Sequence, residues 1–402
     1  MDKRFELKKS LQIGFISVFS YIACYYMRNL LGVATPLILK EGIFTKEYVG
    51  TLSSFYLLAY AIGQLINGVV GDKVKPKYMV SVGLLVSGLA SILFTAINIA
   101  FFQIICFIII GFALSMLRGP LVKLISENTL PKYAQKCCVF LSCASFIGPL
   151  IASFLAIVFK WRGIFIAAGI SVMVLAVLVF VILTALEKKG IIKPIIKEKN
   201  KISLKGIFKV FYLEHFLFYM LVGALVEISA ASINFWFPTY LTEKLGFLPE
   251  MSSVIFSITA IVKATTPFIA LWVFKLFKLR EFLMIRTVFM LSAVFFLSLI
   301  FVENKYVNIV FFVVALMFVG MASSMLWNIY IPSQGKSGMV STVNGFLDFS
   351  GYAASFLANI VFTFAMSLVG WNGIIIMWAV LMGFGSFAAF FKKDVRFDSI
   401  NE

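Results

Sequence analysis

Long apolar runs alternate with short polar breaks along the whole chain. The runs cover 12–39, 48–70, 78–97, 99–125, 136–159, 162–186, 211–240, 250–274, 282–302, 306–332, 338–368 and 372–391. Each reaches the roughly 20 residues a helix needs to cross a bilayer core, and none shows the alternation of a half-buried strand. The pattern predicts an all-α polytopic membrane protein with twelve transmembrane helices. One segment interrupts the rhythm: EKKGIIKPIIKEKNKISLKGIFK, residues 187–209, carries eight lysines against two glutamates. It divides the runs into two sets of six. The expected organisation is an N-terminal six-helix bundle over 1–186, a basic cytoplasmic linker over 187–209 and a C-terminal six-helix bundle over 210–402. The halves match weakly where a repeat requires it. TPLILKEGIFTKEYVG and FPTYLTEKLGFLPEMSS each combine a proline (Pro36, Pro238) with a short charged turn containing glycine.

Composition agrees with this pattern. The chain is 61% hydrophobic and only 13% charged, where a soluble domain carries about a quarter charged residues. Its mean hydropathy is +1.01. The net charge of +17 raises the question of nucleic acid, but the distribution argues against it. With the N-terminus inside, cytoplasmic segments hold 24 of the 35 lysines and arginines and the opposite side holds six. That asymmetry is the positive-inside signature and places both termini in the cytoplasm. The flank MDKRFELKKS leads into a run too long for the core of a cleavable signal. Five cysteines lie in apolar runs without metal-ligand spacing, and the lone His215 falls near the start of the seventh run. No phosphate-binding glycine loop, metal cluster or nucleophile–base set is present, so no enzyme, cofactor or metal is expected. The expected surroundings are the lipid bilayer of a bacterial inner (cytoplasmic) membrane, and the expected state is a monomer.

Charges inside the runs stand out by their cost. Arg28 lies about seventeen residues into the first run, ~25 Å along a helix and well inside a core ~30 Å thick. A charge at that depth costs at least ~2.5 kcal/mol unless something answers it. Arg118, Glu227, Lys263 and Asp348 qualify by the same argument, and the five together carry a net +1. A water-accessible cavity with that balance favours a small organic anion. Structural roles compete at each position: Lys263 with Asp348 as an ion pair inside the second bundle, Glu227 with Arg28, and Arg118 reaching headgroups. The acids also offer carriers for a coupling proton, because burial raises a carboxyl pKa. Tyr25, Tyr26, Tyr56, Tyr60, Trp236 and Trp327 offer stacking surfaces. Asn234, Asn328 and Asn344 are buried-type amides that need partners.

NGVVGDKVKPKY, residues 67–78, ends the second run with glycines, an aspartate and three lysines. Gly68, Asp72, Lys73 and Lys77 resemble the loop signature G-x-x-x-D-[RK]-x-x-x-[RK] of the major facilitator superfamily. Asp72 is suited to cap a helix start or to pair with basic residues, and Lys123 is expected to brace the same gate. YYMRNLLGVATP, AYAIGQLINGVVGDKVKPK and GYAASFLANIVFTFAMSLVGWNG further resemble the organophosphate:phosphate antiporters, and the second of these is equally similar to the anion:cation symporters. Both groups place a substrate-binding arginine eight residues before the proline of the first span, the position of Arg28. The antiporters' second arginine falls here on Ala230, their lysine in the second span on Gln64 and their histidine in the fifth on Ser145, so half of the two-arginine clamp is absent. The resemblance implies a central path lined by the helices that carry all five buried charges.

The expected function is therefore a secondary active transporter of a small organic anion, either a sugar phosphate or a related organophosphate or carboxylate, with proton, sodium or phosphate as coupling ion. The alternatives are a sugar-acid or carboxylate symporter and a non-transporting sensor of the same fold. Expected binding residues are Arg28, Tyr25, Gln64, Arg118, Glu227, Lys263, Asn328 and Asp348. Expected gating residues are Gly68, Asp72, Lys73 and Lys123.

Overall fold

The computed structural model describes residues 3–42, 44–192 and 208–392; most of the expected basic linker and the tail from 393 lie outside the described residues. Every regular element among the described residues is helical. The first half contains α1 (Lys3–Lys40), α2 (Lys46–Lys73), α3 (Pro76–Ala96), α4 (Ala100–Leu114), α5 (Arg118–Asn128), α6 (Pro131–Ser142), α7 (Ala144–Val158) and α8 (Trp161–Lys188). The second contains α9 (Phe216–Thr239), α10 (Pro249–Leu276), α11 (Glu281–Ser298), α12 (Lys305–Ser324) and α13 (Val340–Phe390). Eleven helical segments among the described residues are long and apolar enough to cross a membrane, with α4–α5 and α6–α7 each forming one of them. The run expected over 338–368 is helical from Val340. It joins the last span through Gly370, whose dihedrals (φ 59°, ψ −165°) glycine alone adopts freely.

Two expected continuous spans are broken. The run 99–125 is interrupted at Ser115–Leu117, and the cause is Pro120. A proline has no N–H for the carbonyl four residues back, here Met116, and its ring collides with that carbonyl. The helix restarts at Arg118 with Pro120 in its first turn, where a missing donor is tolerated. The run 136–159 breaks at Cys143. Pro332 acts likewise on Asn328: the preceding turn widens into a π-helix over Met325–Tyr330.

The described chain clusters into two compact units. The first gathers α1–α8 with Ile331–Phe349, and the second holds Phe211–Tyr330 with the rest of α13 from Ser350. In the first, Phe94, Phe107, Phe165 and Trp161 pack edge to face, with centroids 4.9–6.5 Å apart. Lys75 and Lys77 both pair with Glu187, tying the α2–α3 turn to the end of α8. In the second, Phe237 stacks on Phe312 at 4.2 Å, and Trp378 donates to Ser232 Oγ (2.9 Å). Tyr240 donates to Asn308 Oδ1 (2.7 Å), and the Asn308 amide donates to the carbonyls of Leu299 and Val302. Large side chains such as Phe154, Ile157, Phe301 and Leu368 stay exposed, as lipid-facing positions do.

Candidate functional site

Tyr21, Cys24, Tyr25 and Arg28 recur at helical spacing and share one face of α1. The Arg28 guanidinium lies over two rings, 5.7 Å from the centroid of Tyr25 and 5.4 Å from that of Tyr60 on α2. Tyr25 meets Tyr21 edge to face at 5.2 Å, and Tyr21 carries the Arg118 guanidinium at 5.9 Å. One aromatic strip thus holds both arginines by cation–π contact. Half-buried Arg28 also lines a cavity of about 310 Å³ with Asn29, Ser53 and Tyr56 among its polar walls and Phe107 and Phe165 among its apolar ones.

Arg118 follows the proline-induced break, so the first turn of α5 presents it. Its Nη1 lies 3.4 Å from Asp348 Oδ1, and Asp348 Oδ2 accepts from Asn344 Nδ2 at 2.7 Å. This corrects the sequence reading of Asp348 as the partner of Lys263 in the second bundle: Asp348 clusters with the first unit, and Lys263 donates instead to Asn234 Oδ1 (3.2 Å). Gln64 is buried on α2. Among the described residues its Nε2 has no hydrogen-bond partner, and the same holds for Asn344 Oδ1.

The expected gating residues gather where α2 crosses the start of α13. A Cβ on Gly68 would stand 2.8 Å from the Ser341 carbonyl oxygen and 2.9 Å from Gly345 Cα, so only glycine permits this approach. Both oxygens of Asp72 are used: they accept the backbone N–H groups of Ser341 (2.9 Å) and Thr342 (2.7 Å). Those donors are otherwise orphaned in the first turn of α13, so Asp72 caps that helix from another part of the chain. Lys123 Nζ donates to the carbonyls of Gly71 (3.2 Å) and Asp72. Lys73 is exposed.

In the second unit, Glu227 lies within electrostatic reach of Lys263. Its backbone carbonyl accepts from Ser355 Oγ (3.1 Å), and Gly351 packs so closely that an added Cβ would stand 2.8 Å from Glu227 Cγ. Asn328 is buried inside the π-turn. Five of the eight expected binding residues therefore lie in the first unit and three in the second. Sequence reasoning did not single out Tyr21 or Ser341. The i, i+4 spacing to Tyr25 offered a signal for Tyr21; nothing local marks Ser341.

Residues 17–359 match the family model described as Major Facilitator Superfamily. The chain is 24% identical over 277 residues to the glycerol-3-phosphate transporter of Bacillus subtilis, covering 63% of this chain and 62% of that protein. It is 31% identical over 74 residues to the membrane sensor protein UhpC of Salmonella typhimurium, 18% of this chain and 17% of the sensor. The chain thus matches less than two thirds of either relative's length. The crystal structure of the transporter FucP in its outward conformation superposes with a TM-score of 0.74 at 12% identity, covering 96% of this chain and all of that one. That likeness concerns the fold.

Proposed function

The chain belongs to the major facilitator superfamily, and from that premise we propose that it is a secondary active transporter moving a small organic anion across the cytoplasmic membrane by alternating access. The observation that carries this reading is Arg28: a guanidinium within a membrane span, oriented by the rings of Tyr25 and Tyr60 at the wall of a cavity. Arginine holds its charge there, and its fork takes two oxygens of a carboxylate or phosphate at once. A cavity near 310 Å³ lies at the small end of ligand sites. The similarity to a glycerol-3-phosphate transporter supports an organophosphate or a related carboxylate as the class of substrate. Tyr25, Gln64, Arg118 and Asp348 would join Arg28 from the first unit, and Glu227, Lys263 and Asn328 are the second unit's candidates.

The proposed working parts are a 1–186 bundle and a 210–402 bundle joined by a cytoplasmic linker over 187–209, twelve spans in all, with both termini inside. Gly68, Asp72, Lys73 and Lys123 act as a gate at the α2–α13 crossing. Proteoliposome counterflow with glycerol 3-phosphate, glucose 6-phosphate and gluconate tests the reading: at least one should exchange. A second reading, a ligand sensor, is favoured by the match to a membrane sensor protein. It predicts binding of one of these anions without flux.

A further inference from the structure

Glycine is, after proline, the residue that most weakens a helix, so a glycine inside one needs a physical reason. For most helical glycines here the reason is close packing. A Cβ on Gly111 would stand 2.4 Å from the Tyr56 carbonyl oxygen, and one on Gly148 would stand 2.6 Å from the Tyr26 nitrogen. Among the described residues, three glycines inside helices have ordinary dihedrals and would meet nothing within 4 Å of an added Cβ: Gly32, Gly50 and Gly383. Two of these, Gly32 on α1 and Gly50 on α2, line the cavity that Arg28 borders. Neither packing nor backbone conformation accounts for them; the cavity is what they share. We propose that Gly32 and Gly50 keep this cavity open for the body of the bound anion, and so set the size of anion that the site accepts. This rests on the anion-transport reading above and adds two specificity-determining positions to it.

The cavity lies wholly within the first unit. Gly32 stands one helical turn, ~6 Å, beyond Arg28 on the same face of α1. An anion held by the guanidinium and extending into the cavity therefore passes Gly32. The apolar wall is fixed: Phe107, Ile110 and Phe165 are buried, and the two rings meet edge to face at 6.3 Å. The polar wall turns donors back on its own helix. Thr35 Oγ1 donates to the Leu31 carbonyl (2.7 Å), and Asn29 Nδ2 donates to the Tyr25 carbonyl (2.7 Å). A hydroxyl has one proton to give, so Thr35 has spent its donor within α1. Room, more than hydrogen bonding, then separates a short anion from a long one with the same headgroup. A leucine at either glycine places four carbon atoms in that room, and a close-packed wall has little freedom to move aside for them.

Titration calorimetry on the purified full chain tests this with two matched pairs of probes. Glycerol 3-phosphate and glucose 6-phosphate share one headgroup, and glycerate and gluconate share the other. The size preference is the six-carbon affinity divided by the three-carbon affinity within a pair. In the wild type at least one pair should bind, the six-carbon member at least as tightly as the three-carbon one. Gly32→Leu should lower the preference by about tenfold or more, and Gly32→Leu/Gly50→Leu should lower it further. Gly383→Leu, the same change away from the cavity, should keep the wild-type preference. Leucine suits a helix better than glycine, so all three variants should melt no lower than the wild type. Where leucine at 32 disturbs folding, Gly32→Ala repeats the test with one added carbon and should lower the preference about threefold. A folded double variant that keeps the wild-type preference overturns the inference and leaves the transport reading standing, as does one that weakens both members of a pair alike. A wild type that binds only the three-carbon members does the same. If no probe binds the wild type, the anion reading and this inference fail together.

Discussion

Asparagine at position 72 would keep the shape of the aspartate while removing half of what it does. The carboxylate accepts two backbone N–H groups, from Ser341 at 2.9 Å and Thr342 at 2.7 Å, at the positive end of α13. Asparagine retains one acceptor and turns an NH₂ toward the other donor, so one bond is lost together with the charge. A lost hydrogen bond to a charged group is worth about 1.5–3 kcal/mol, and the charge–dipole attraction about 0.3–1 more. The first turn of α13 should therefore open more readily by roughly 2–4 kcal/mol, a factor of about 30 to 1,000. Hydrogen–deuterium exchange followed by mass spectrometry reads this directly in peptides spanning 338–347. In Asp72→Asn the amides of Ser341 and Thr342 should exchange faster by that factor, with the Trp378 region unchanged and anion-induced thermal stabilisation retained. Unchanged exchange at those two amides would refute the capping argument, and loss of all anion binding in a folded protein would place Asp72 in the site instead.

Other consequences are as accessible. Gly345→Ala puts a Cβ 2.3 Å from the Gln64 carbonyl oxygen and 2.9 Å from Gly68 Cα, backbone atoms that cannot rotate away. It should cost about 1–3 kcal/mol in thermal unfolding, whereas Gly383→Ala, which meets nothing within 4 Å, should be neutral or stabilising. Burial against Phe282 lowers the pKa of His215 below the ordinary value, so the unfolded chain binds the proton more tightly. Stability should fall as the pH drops from about 6.5 through the folded pKa, and His215→Gln should flatten that dependence in detergent melts. For topology, cysteines replacing Lys199 and Asp398, both outside the described residues, should resist impermeant thiol reagents in intact cells, and one replacing Lys244 should react.

The helices were legible because lipid demands long apolar runs and leaves no alternative way to satisfy the backbone. The interruption at Ser115–Leu117 was not, although its cause, Pro120, is plain in the sequence: hydropathy averaged over a span does not register one missing donor. The cost of its depth marked Arg28, as did the resemblance that sets a substrate-binding arginine eight residues before the proline of the first span, and helical spacing placed Tyr25 beside it. Partners distant in the chain were a different matter. Charge balance says that a buried Asp348 needs a cation, yet nothing local distinguishes Lys263 from Arg118, which lies 230 positions away. Asp72 likewise reads as a helix cap, but which helix it caps depends on the crossing of α2 with α13 at Gly68 and Gly345, a matter of tertiary packing.

Anion transport by this chain stands or falls with Arg28 as the anchor of the anion. Counterflow of glycerol 3-phosphate and gluconate in proteoliposomes, compared among the wild type, Arg28→Lys and Arg28→Ala, decides the point. Lysine keeps the charge without the fork, so its affinity should drop markedly, and alanine should lose about 2–4 kcal/mol, roughly thirty- to a thousand-fold. The competing assignment makes Arg28 a structural partner of Glu227, and then Arg28→Ala/Glu227→Ala should recover both stability and flux. With Arg28 as the anchor, the wild type exchanges, Arg28→Ala nearly loses exchange and the double variant does not recover it; full exchange by the double variant would contradict that role.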